Sequence, residues 1–401
     1  MNNIRKLSAD LYYIGLNDRK LALFENVYPI PQGVSYNSYI LLDDKNTLID
    51  CADIAVAQQF LENIGASLQG RSLDYIVINH MEPDHGATLA LVASAHPEAT
   101  IVTTAKAAGM IRQFFDIDID SRLMTVGEGD TLHTGRYTLT FFCAPMVHWP
   151  EVMVTYESAT RTLFSADAFG TFGALNGHLF ADESDLDGDW LGEARRYYCN
   201  IVGKYGMQVQ ALLKKAAGLD IATICPLHGP IWRKDIAYLV EKYNLWSSYT
   251  PEQHGVLVVY GSIYGHTAEV AERAASLLAD NGVKHIAVYD ASHVHVSHLV
   301  GEAFRFSHLL LASSTYNNSI FTPMEIFLAD LKAHNLQNRS VALIENGSWA
   351  PQSGKLMRAA VEEMKGMTIV GDTLTLKSSM KENQTAQLEM LAQTIAAELN
   401  D

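Results

Sequence analysis

The segment LDYIVINHMEPDHG (Leu73–Gly86) is the most informative stretch in the first part of the chain. Its first half is an apolar run typical of a buried strand, and its second half carries His80, Glu82, Asp84 and His85. Loops at strand ends are where a rigid sheet can direct several ligands at one point. Four such groups directly after a buried strand have no use in a hydrophobic core, because unpaired buried charge is costly. The segment therefore predicts a sheet with a metal site at its edge.

Three further residues follow apolar strand patterns in the same way: His148 after YTLTFFCAP, Asp167 at the end of TLFSAD and His228 after IATICPL. Any one of them alone is more often a turn or surface residue. Together, four imidazoles and three carboxylates are what a two-metal site requires, with about three protein ligands per ion and a carboxylate that can bridge them. The sequence thus predicts a metal site at His80, Glu82, Asp84, His85, His148, Asp167 and His228.

Composition limits the function. A chain of 401 residues with 48% hydrophobic and 18% charged residues is an ordinary globular protein, long enough for two domains. A net charge of -16 would repel phosphate backbones and anionic lipid, so nucleic acid and membrane partners are not expected. Apolar runs are too short to span a bilayer and the start, MNNIRKLSADLYYIG, has no hydrophobic signal core, so we expect a cytoplasmic protein.

The order of patterns changes near Pro251. Before it, the hairpin SYNSYILLDD-KN-TLIDCAD and further short strands alternate with helical patterns, which indicates a mixed layered α/β domain over residues 1–250. From Gly255 onward, strand and helix patterns alternate regularly. This predicts a doubly wound parallel five-stranded sheet over residues 251–401, with a ligand at the carboxyl ends of its strands.

Three loops of this second domain lie at the carboxyl ends of predicted strands and could bind one ligand together. The first, in VLVVYGSIYGHTAEVAERAA, can hold a phosphate with backbone amides and hydroxyls, and it lacks both the GK[ST] lysine and GxGxxG, which favours a monophosphate. The loops SSTYNNSIFTP and ENGSWAP each add an aromatic side chain for a flavin ring. The three loops together suit flavin mononucleotide (FMN). The predicted FMN contacts are Ser262, Ile263, Tyr264, Gly265, His266, Thr267, Ser314, Thr315, Tyr316, Asn317, Asn318, Asn346, Gly347, Ser348 and Trp349.

Two other patterns receive a structural interpretation. His293, His295 and His298 form HxHxxH without carboxylate partners, which is typical of a solvated face. The cysteines are scattered without a CxxC pair and are interpreted as buried small hydrophobic residues, so neither a disulfide scaffold nor a cysteine metal site is expected: Cys51, Cys143, Cys199 and Cys225.

The pattern HxExDH followed by His148, Asp167 and His228 resembles the metallo-β-lactamase-like fold, whose hydrolases carry HxHxDH. Glu82 stands where those enzymes have a second histidine, and a carboxylate there shifts the preference from zinc towards iron. With this change the whole chain is similar to the flavodiiron proteins. The resemblance implies an N-terminal metallo-β-lactamase-like αββα sandwich and a C-terminal flavodoxin-like domain. It also implies one iron held by His80, Glu82 and His148, another by Asp84, His85 and His228, and a bridging Asp167.

The resemblance further implies an oxidoreductase that reduces dioxygen to water, nitric oxide to nitrous oxide, or both, at two irons fed by FMN. Tyr197 and Tyr198 resemble a family segment near the metal site, and Tyr197 is the candidate hydrogen-bond or proton donor. A head-to-tail homodimer or dimer of dimers is expected. Because there is no carboxy-terminal CxxC pair, the donor is expected to be a separate rubredoxin or a reduced deazaflavin coenzyme.

Two alternatives stay open at this point. A metal-dependent hydrolase of the metallo-β-lactamase-like class with a vestigial flavin domain would use the same loops, although Glu82 and the phosphate loop argue against it. A protein that uses only its flavodoxin part for electron transfer or binding would leave seven metal-type residues without a purpose.

Overall fold

The computed structural model describes residues 2–400. They form two compact units: the chain up to Tyr198 together with Met207–Tyr243, and Cys199–Gly206 together with the chain from Asn244 onward. The domain limits 1–250 and 251–401 stay a prediction.

The strands of the first 250 residues are short. They are β1 (Arg5–Lys6), β2 (Leu11–Tyr13), β3 (Leu16–Asp18), β4 (Leu23–Phe24), β5 (Tyr28–Pro29), β6 (Val34–Tyr36), β7 (Tyr39–Leu41), β8 (Thr47–Ile49), β9 (Tyr75–Val77), β10 (Thr100–Thr103), β11 (Leu123–Thr125), β12 (Thr131–His133), β13 (Thr138–Cys143), β14 (Met153–Glu157), β15 (Thr162–Phe164) and β16 (Thr223–Cys225). The helices are α1 (Ala57–Leu68), α2 (Pro83–Gly86), α3 (Leu89–Ala95), α4 (Ala105–Phe114), α5 (Leu191–Tyr197), α6 (Gly206–Ala216) and α7 (Ile236–Ser247).

Two sheets enclose the core of the first unit. One has the order β1-β2-β7-β8-β9-β10-β11 and the other β12-β13-β14-β15-β16. The predicted hairpin is present as the antiparallel pair β7 and β8, whereas β8, β9 and β10 run parallel. Side chains from both sheets form one buried cluster, for example Tyr39 and Val77 from the first and Phe141 and Phe164 from the second. The arrangement is a sandwich whose core lies between the sheets.

The three central strands of the second unit are longer than any strand of the first unit. The strands of this unit are β17 (Gln253–Gly261), β18 (Ile286–Asp290), β19 (Phe306–Tyr316), β20 (Ser319–Ile320), β21 (Ser340–Asn346), β22 (Thr368–Ile369) and β23 (Leu374–Leu376), with β17, β19 and β21 at the centre of the sheet. Its helices are α8 (His266–Asp280), α9 (Val296–Arg305), α10 (Thr322–Ala333), α11 (Ser353–Glu362) and α12 (Thr385–Asn400).

The sheet of the second unit has the order β18-β17-β19-β21-β22, with every neighbouring pair parallel. This is the predicted five-stranded, doubly wound topology. The fifth strand differs in detail, because TIVGDTLTL is two short strands, β22 and β23, that both pair with β21. Gly371 between them has φ +64°, a left-handed conformation that ends one strand before the next begins.

Candidate metal centre and flavin site

Hydrogen bonds fix the start of the loop after β9, just ahead of its metal-type side chains. The buried carboxylate of Asp50 accepts hydrogen bonds from the backbone N–H of Asn79 and from its side-chain amide, both at 2.7 Å. The short helix α2 then begins at Pro83, because the fixed φ of proline suits the first position of a helix. His80 and Glu82 therefore lie in the loop, while Asp84 and His85 project from α2.

Four of the predicted metal ligands form one buried group: His80, Glu82, His148 and Asp167. Their ligand atoms all lie within 4.8 Å of one another. The Nε2 atoms of His80 and His148 lie 3.2 and 2.9 Å from Glu82 Oε2. The same two atoms lie 3.1 and 3.3 Å from Asp167 Oδ2.

The other three predicted ligands form a second group: Asp84, His85 and His228. Nε2 of His85 and of His228 lie 3.4 and 3.1 Å from Asp84 Oδ2, and 3.1 Å from each other. Asp167 faces both groups, because its Oδ1 lies 3.2 Å from His85 Nε2 while its Oδ2 faces His80. A carboxylate in this position is suited to bridge two ions.

The charge distribution in this cluster favours bound cations. Burial alone would lower the pKa of an imidazole, but hydrogen bonds to Asp167 and Glu82 outweigh it and raise the pKa of His148 to about 10. Burial likewise opposes the ionisation of Asp167, yet the surrounding histidines hold its pKa well below the ordinary value. Asp84 Oδ1 and Asp167 Oδ1 are buried without a hydrogen-bond partner among the described residues. A pair of metal dications would satisfy these oxygens.

Two of the predicted histidine ligands also make a contact through Nδ1, the ring nitrogen that faces away from the cluster. His228 donates its Nδ1 proton to the backbone carbonyl of Ser35 at 2.7 Å, and His80 Nδ1 lies 2.7 Å from Glu151 Oε1. Glu151 was not among the predicted site residues. It directly follows Trp149-Pro150, and no local pattern marks it, because its partner His80 lies 71 residues earlier in the chain.

Tyr197 lies beside the second group. Its ring centroid is 5.6 Å from that of His228, and its buried hydroxyl has no hydrogen-bond partner among the described residues. Burial and then the charge of Asp167 raise its pKa well above the ordinary value, so the hydroxyl stays protonated. Tyr198 instead packs its ring against Tyr243 at 5.0 Å.

A hairpin that the sequence did not reveal also reaches the cluster. Its strands are β4 and β5, and the Phe24 ring centroid lies 5.3 Å from that of His228. In the turn, desolvation of the Glu25 carboxylate and then the nearby charge of Glu82 raise the pKa of Glu25 to about 8. Glu25 and Asn26 both have left-handed φ, as the two central residues of a tight hairpin turn do.

The predicted flavin residues line a cavity of about 580 Å³ at the carboxyl ends of β17, β19 and β21. All of the predicted set line it except Gly265, which has φ +98° and precedes the first residue of α8. Ala350 and Ser378 also line the cavity and were missed. Ser378 follows β23, and only the pairing of β23 with β21 brings it here.

Hydrogen bonds order the cavity wall. The hydroxyls of Thr267 and Ser314 lie 2.9 Å apart, and Asn346 donates its side-chain amide to Thr267 Oγ1 at 3.2 Å and to the carbonyl of Ser378 at 2.8 Å. Tyr264 and Trp349 are 92% and 91% exposed. Such uncovered aromatic side chains beside a polar loop at a helix start fit a flavin ring and its phosphate.

The histidines and cysteines that were given a structural interpretation lie outside the two ligand groups. His293 Nδ1 lies 3.0 Å from Asp290 Oδ2, and His295 caps the N-terminus of α9. All cysteines are free; three are buried and Cys143 is partly exposed. Within residues 2–400, no helix is both long enough and apolar enough to cross a membrane.

Comparison with known proteins gives a consistent result. The family model "ODP family beta lactamase" matches residues 34–229. An uncharacterized protein of Methanocaldococcus jannaschii is 31% identical over 390 residues, which cover 94% of each chain. The anaerobic nitric oxide reductase flavorubredoxin of Pectobacterium atrosepticum is 30% identical over 346 residues, covering 85% of this chain and 67% of that protein.

Solved structures agree. The rubredoxin oxygen:oxidoreductase of Desulfovibrio gigas matches with a TM-score of 0.91 and 27% identity, covering 99% of both chains. The flavodiiron protein of Giardia intestinalis has the same fold, with a TM-score of 0.93 and 24% identity over 100% of this chain and 97% of that one.

Fold and sites together define a two-domain protein that joins a metallo-β-lactamase-like αββα sandwich to a flavodoxin-like parallel sheet. The chain belongs to the flavodiiron protein family and is an oxidoreductase. The cofactors of this family, FMN and a pair of non-haem irons, fit the two sites. The unpartnered oxygens between four imidazoles fit the irons, and the polar cavity with exposed aromatics fits the flavin.

Proposed function

We propose that this chain reduces dioxygen to water, nitric oxide to nitrous oxide, or both, with electrons that arrive through FMN from an external donor. The observation that carries the proposal is the position of Asp167, whose two carboxylate oxygens face different histidine groups at 3.1 and 3.2 Å. A metal pair held this way suits a diatomic substrate that needs both ions.

The ligand assignment follows the two groups. His80, Glu82 and His148 would hold one iron, Asp84, His85 and His228 the other, and Asp167 would bridge them. Glu82 in place of a histidine favours iron over zinc. When bound, two ferrous ions and a reduced flavin supply four electrons, enough for one dioxygen, whereas two electrons suffice to couple two nitric oxides.

The other residues of the two sites would bind the flavin, orient the substrate and keep water out. The Tyr197 hydroxyl, protonated and without a hydrogen-bond partner among residues 2–400, would donate a hydrogen bond to the substrate. Phe24 and Phe172 pack on Tyr197 with centroids at 6.3 and 5.1 Å and so keep its surroundings apolar. Thr267, Ser314 and Asn346 would hold the flavin phosphate end, and Trp349 would stack on the ring.

The electron donor would be a separate molecule, a rubredoxin or a reduced deazaflavin coenzyme. One similar structure is named a rubredoxin oxygen:oxidoreductase, which supports the first choice. We further propose a head-to-tail homodimer, alone or paired into a dimer of dimers, in which the flavin of one chain serves the irons of its partner. The exposure of Tyr264 and Trp349 beside the flavin cavity supports a face that a second chain covers.

Anaerobic stopped-flow on the purified, reduced protein tests the proposal. Flavin reoxidation is followed after mixing with dioxygen or with nitric oxide, and the ratio of the two rates gives the substrate preference. We expect reoxidation within the mixing experiment for at least one gas and at least a hundredfold slower reoxidation in Asp167→Asn.

Metal analysis supplies the opposing outcome. Two zinc ions per chain, no yellow chromophore and no reaction with either gas would replace the proposal by the hydrolase alternative. Gas consumption unchanged in Asp167→Asn would instead point to a protein that uses its flavin domain alone.

A further inference from the structure

Glu151 is a buried carboxylate that none of the roles above uses. It is 1% exposed, and its Oε1 accepts the backbone N–H of Met81 at 3.0 Å while lying 2.7 Å from His80 Nδ1. The Thr104 hydroxyl donates to its backbone carbonyl at 3.0 Å and so fixes the segment. The residue is therefore held rigidly behind one metal-facing imidazole.

The contact sets the tautomer of His80. Met81 N–H can only donate, so Oε1 acts as an acceptor, and the short contact is one in which His80 Nδ1–H donates to it. The lone pair of His80 is then on Nε2, which faces Glu82 at 3.2 Å and Asp167 at 3.1 Å. A hydrogen bond to a carboxylate also makes the imidazole a stronger donor towards a metal ion.

The second histidine group lacks such a partner. His228 donates to a neutral backbone carbonyl, that of Ser35, at 2.7 Å. His85 Nδ1 is buried, with no hydrogen-bond partner in the described part of the chain. A carbonyl polarises an imidazole less than a charged carboxylate does. The two metal positions are therefore unequal just outside their ligands.

Charge points the same way. Glu82, Asp84 and Asp167 give the paired groups three carboxylates, and Glu151 adds another carboxylate behind His80. A pair of ferrous ions would bring positive charge into this buried site, and the carboxylate of Glu151 helps to compensate it. Uncompensated charge in such a setting is costly.

We propose that Glu151 is a positioning residue that acts through His80 and makes the iron held by His80, Glu82 and His148 the more tightly bound of the two. The inference rests on the proposed diiron assignment. It concerns this chain's own carboxylate and predicts an order of metal loss, not only an activity.

Anaerobic release of iron from the full-length, iron-loaded protein to the ferrous chelator ferrozine tests it. Wild type is expected to release two irons per chain in two phases. Asp84→Asn should accelerate only the release of the iron held by Asp84, His85 and His228. The phase that changes in this variant is thereby assigned to that iron. Glu151→Gln keeps the size and the acceptor oxygen but removes the charge, and we expect it to accelerate the slower phase about tenfold to a hundredfold while the faster phase is unchanged.

Glu157→Gln is the matched control. Glu157 is also a buried glutamate, 2% exposed, but its carboxylate accepts backbone N–H groups of Ala159 and Thr160 instead of contacting the cluster. Its release curve should equal that of wild type. Glu151→Asp keeps the charge and should retain the slow iron better than Glu151→Gln does.

Three outcomes decide the matter. Equal release curves for Glu151→Gln and wild type, acceleration of both phases alike, or equally fast loss from the Asp and Gln variants would each overturn the inference. A wild-type protein with fewer than two irons per chain would instead overturn the proposed function. ⁵⁷Fe Mössbauer spectra of the reduced variants add a second readout, in which only one of the two iron signals should change in Glu151→Gln.

Discussion

At the scale of single residues, Tyr197 has the clearest assignment to test. Its ring lies among Phe24, Phe172 and His228, with centroids at 6.3, 5.1 and 5.6 Å, and its buried hydroxyl has no hydrogen-bond partner among the described residues. Tyr197→Phe should leave iron and FMN content unchanged and slow the gas-reducing step about tenfold, because one hydrogen bond to a developing charge is lost. Single-turnover stopped-flow measures this step directly.

The control for this change is Tyr156→Phe. Tyr156 bonds the carbonyl of Asp220 at 2.8 Å, away from the ligand groups, so its removal should affect stability only slightly and the rate not at all. A Tyr197→Phe enzyme as fast as wild type would remove Tyr197 from the reaction and leave its burial as a packing feature.

At the scale of elements, strand ends explain why distant residues meet. β9, β15 and β16 each deliver ligands from the loop that follows them, which the sequence pattern predicted. The hairpin of β4 and β5 was not predicted, because each strand has two residues and too little periodicity to detect. Its contribution, Phe24 and Glu25 at the metal groups, is therefore known only from the folded chain.

The start of β19 carries a pH-sensitive residue of the second unit. His308 is 7% exposed, its Nδ1 lies 2.9 Å from the Ser307 hydroxyl, and its Nε2 lies 3.6 Å from Glu398. Burial lowers its pKa, and the opposing attraction of Glu398 does not restore it. The folded state thus prefers the neutral imidazole, whereas the unfolded chain takes up a proton near pH 6.5.

The direction of the pH dependence of stability follows from this difference in pKa. The contribution of His308 to stability is fully present above the unfolded pKa and declines as the pH falls from there towards the folded pKa. His308→Phe should flatten the loss of thermal stability between pH 7 and pH 5 by about 2 °C in Tm, measured by scanning calorimetry. His293→Phe is the control, since that side chain is 81% exposed, and an equal flattening there would contradict the prediction.

At the scale of the whole molecule, the proposed head-to-tail dimer predicts complementation between two inactive chains. Asp167→Asn disables the metal centre, and Thr267→Asp places a negative charge in the proposed phosphate cradle and should prevent FMN binding. When the two are dissociated, mixed in equal amounts and reassociated, about half of the dimers are mixed and each has one working flavin–iron pair. Activity should therefore return to about a quarter of the wild-type value.

Each variant reassociated with itself is the control and should stay inactive. Mixed dimers that form, as seen by mass, yet show no activity would mean that electrons pass within one chain. Full iron content in the Thr267→Asp chain and full FMN content in the Asp167→Asn chain confirm that each variant loses only one site.

The metal-type residues, the flavin loops and the order of strands and helices are recognisable from the sequence, because each is marked by a pattern of neighbouring residues. HxExDH is a local motif, and the loop after β17 is a local strand–loop–helix unit. The folded chain is needed to show that the two oxygens of Asp167 face different groups, that Glu151 lies behind His80 and that Ser378 lines the flavin cavity. These contacts join residues far apart in sequence, and the packing of sheets, not any local preference, sets the distances between them.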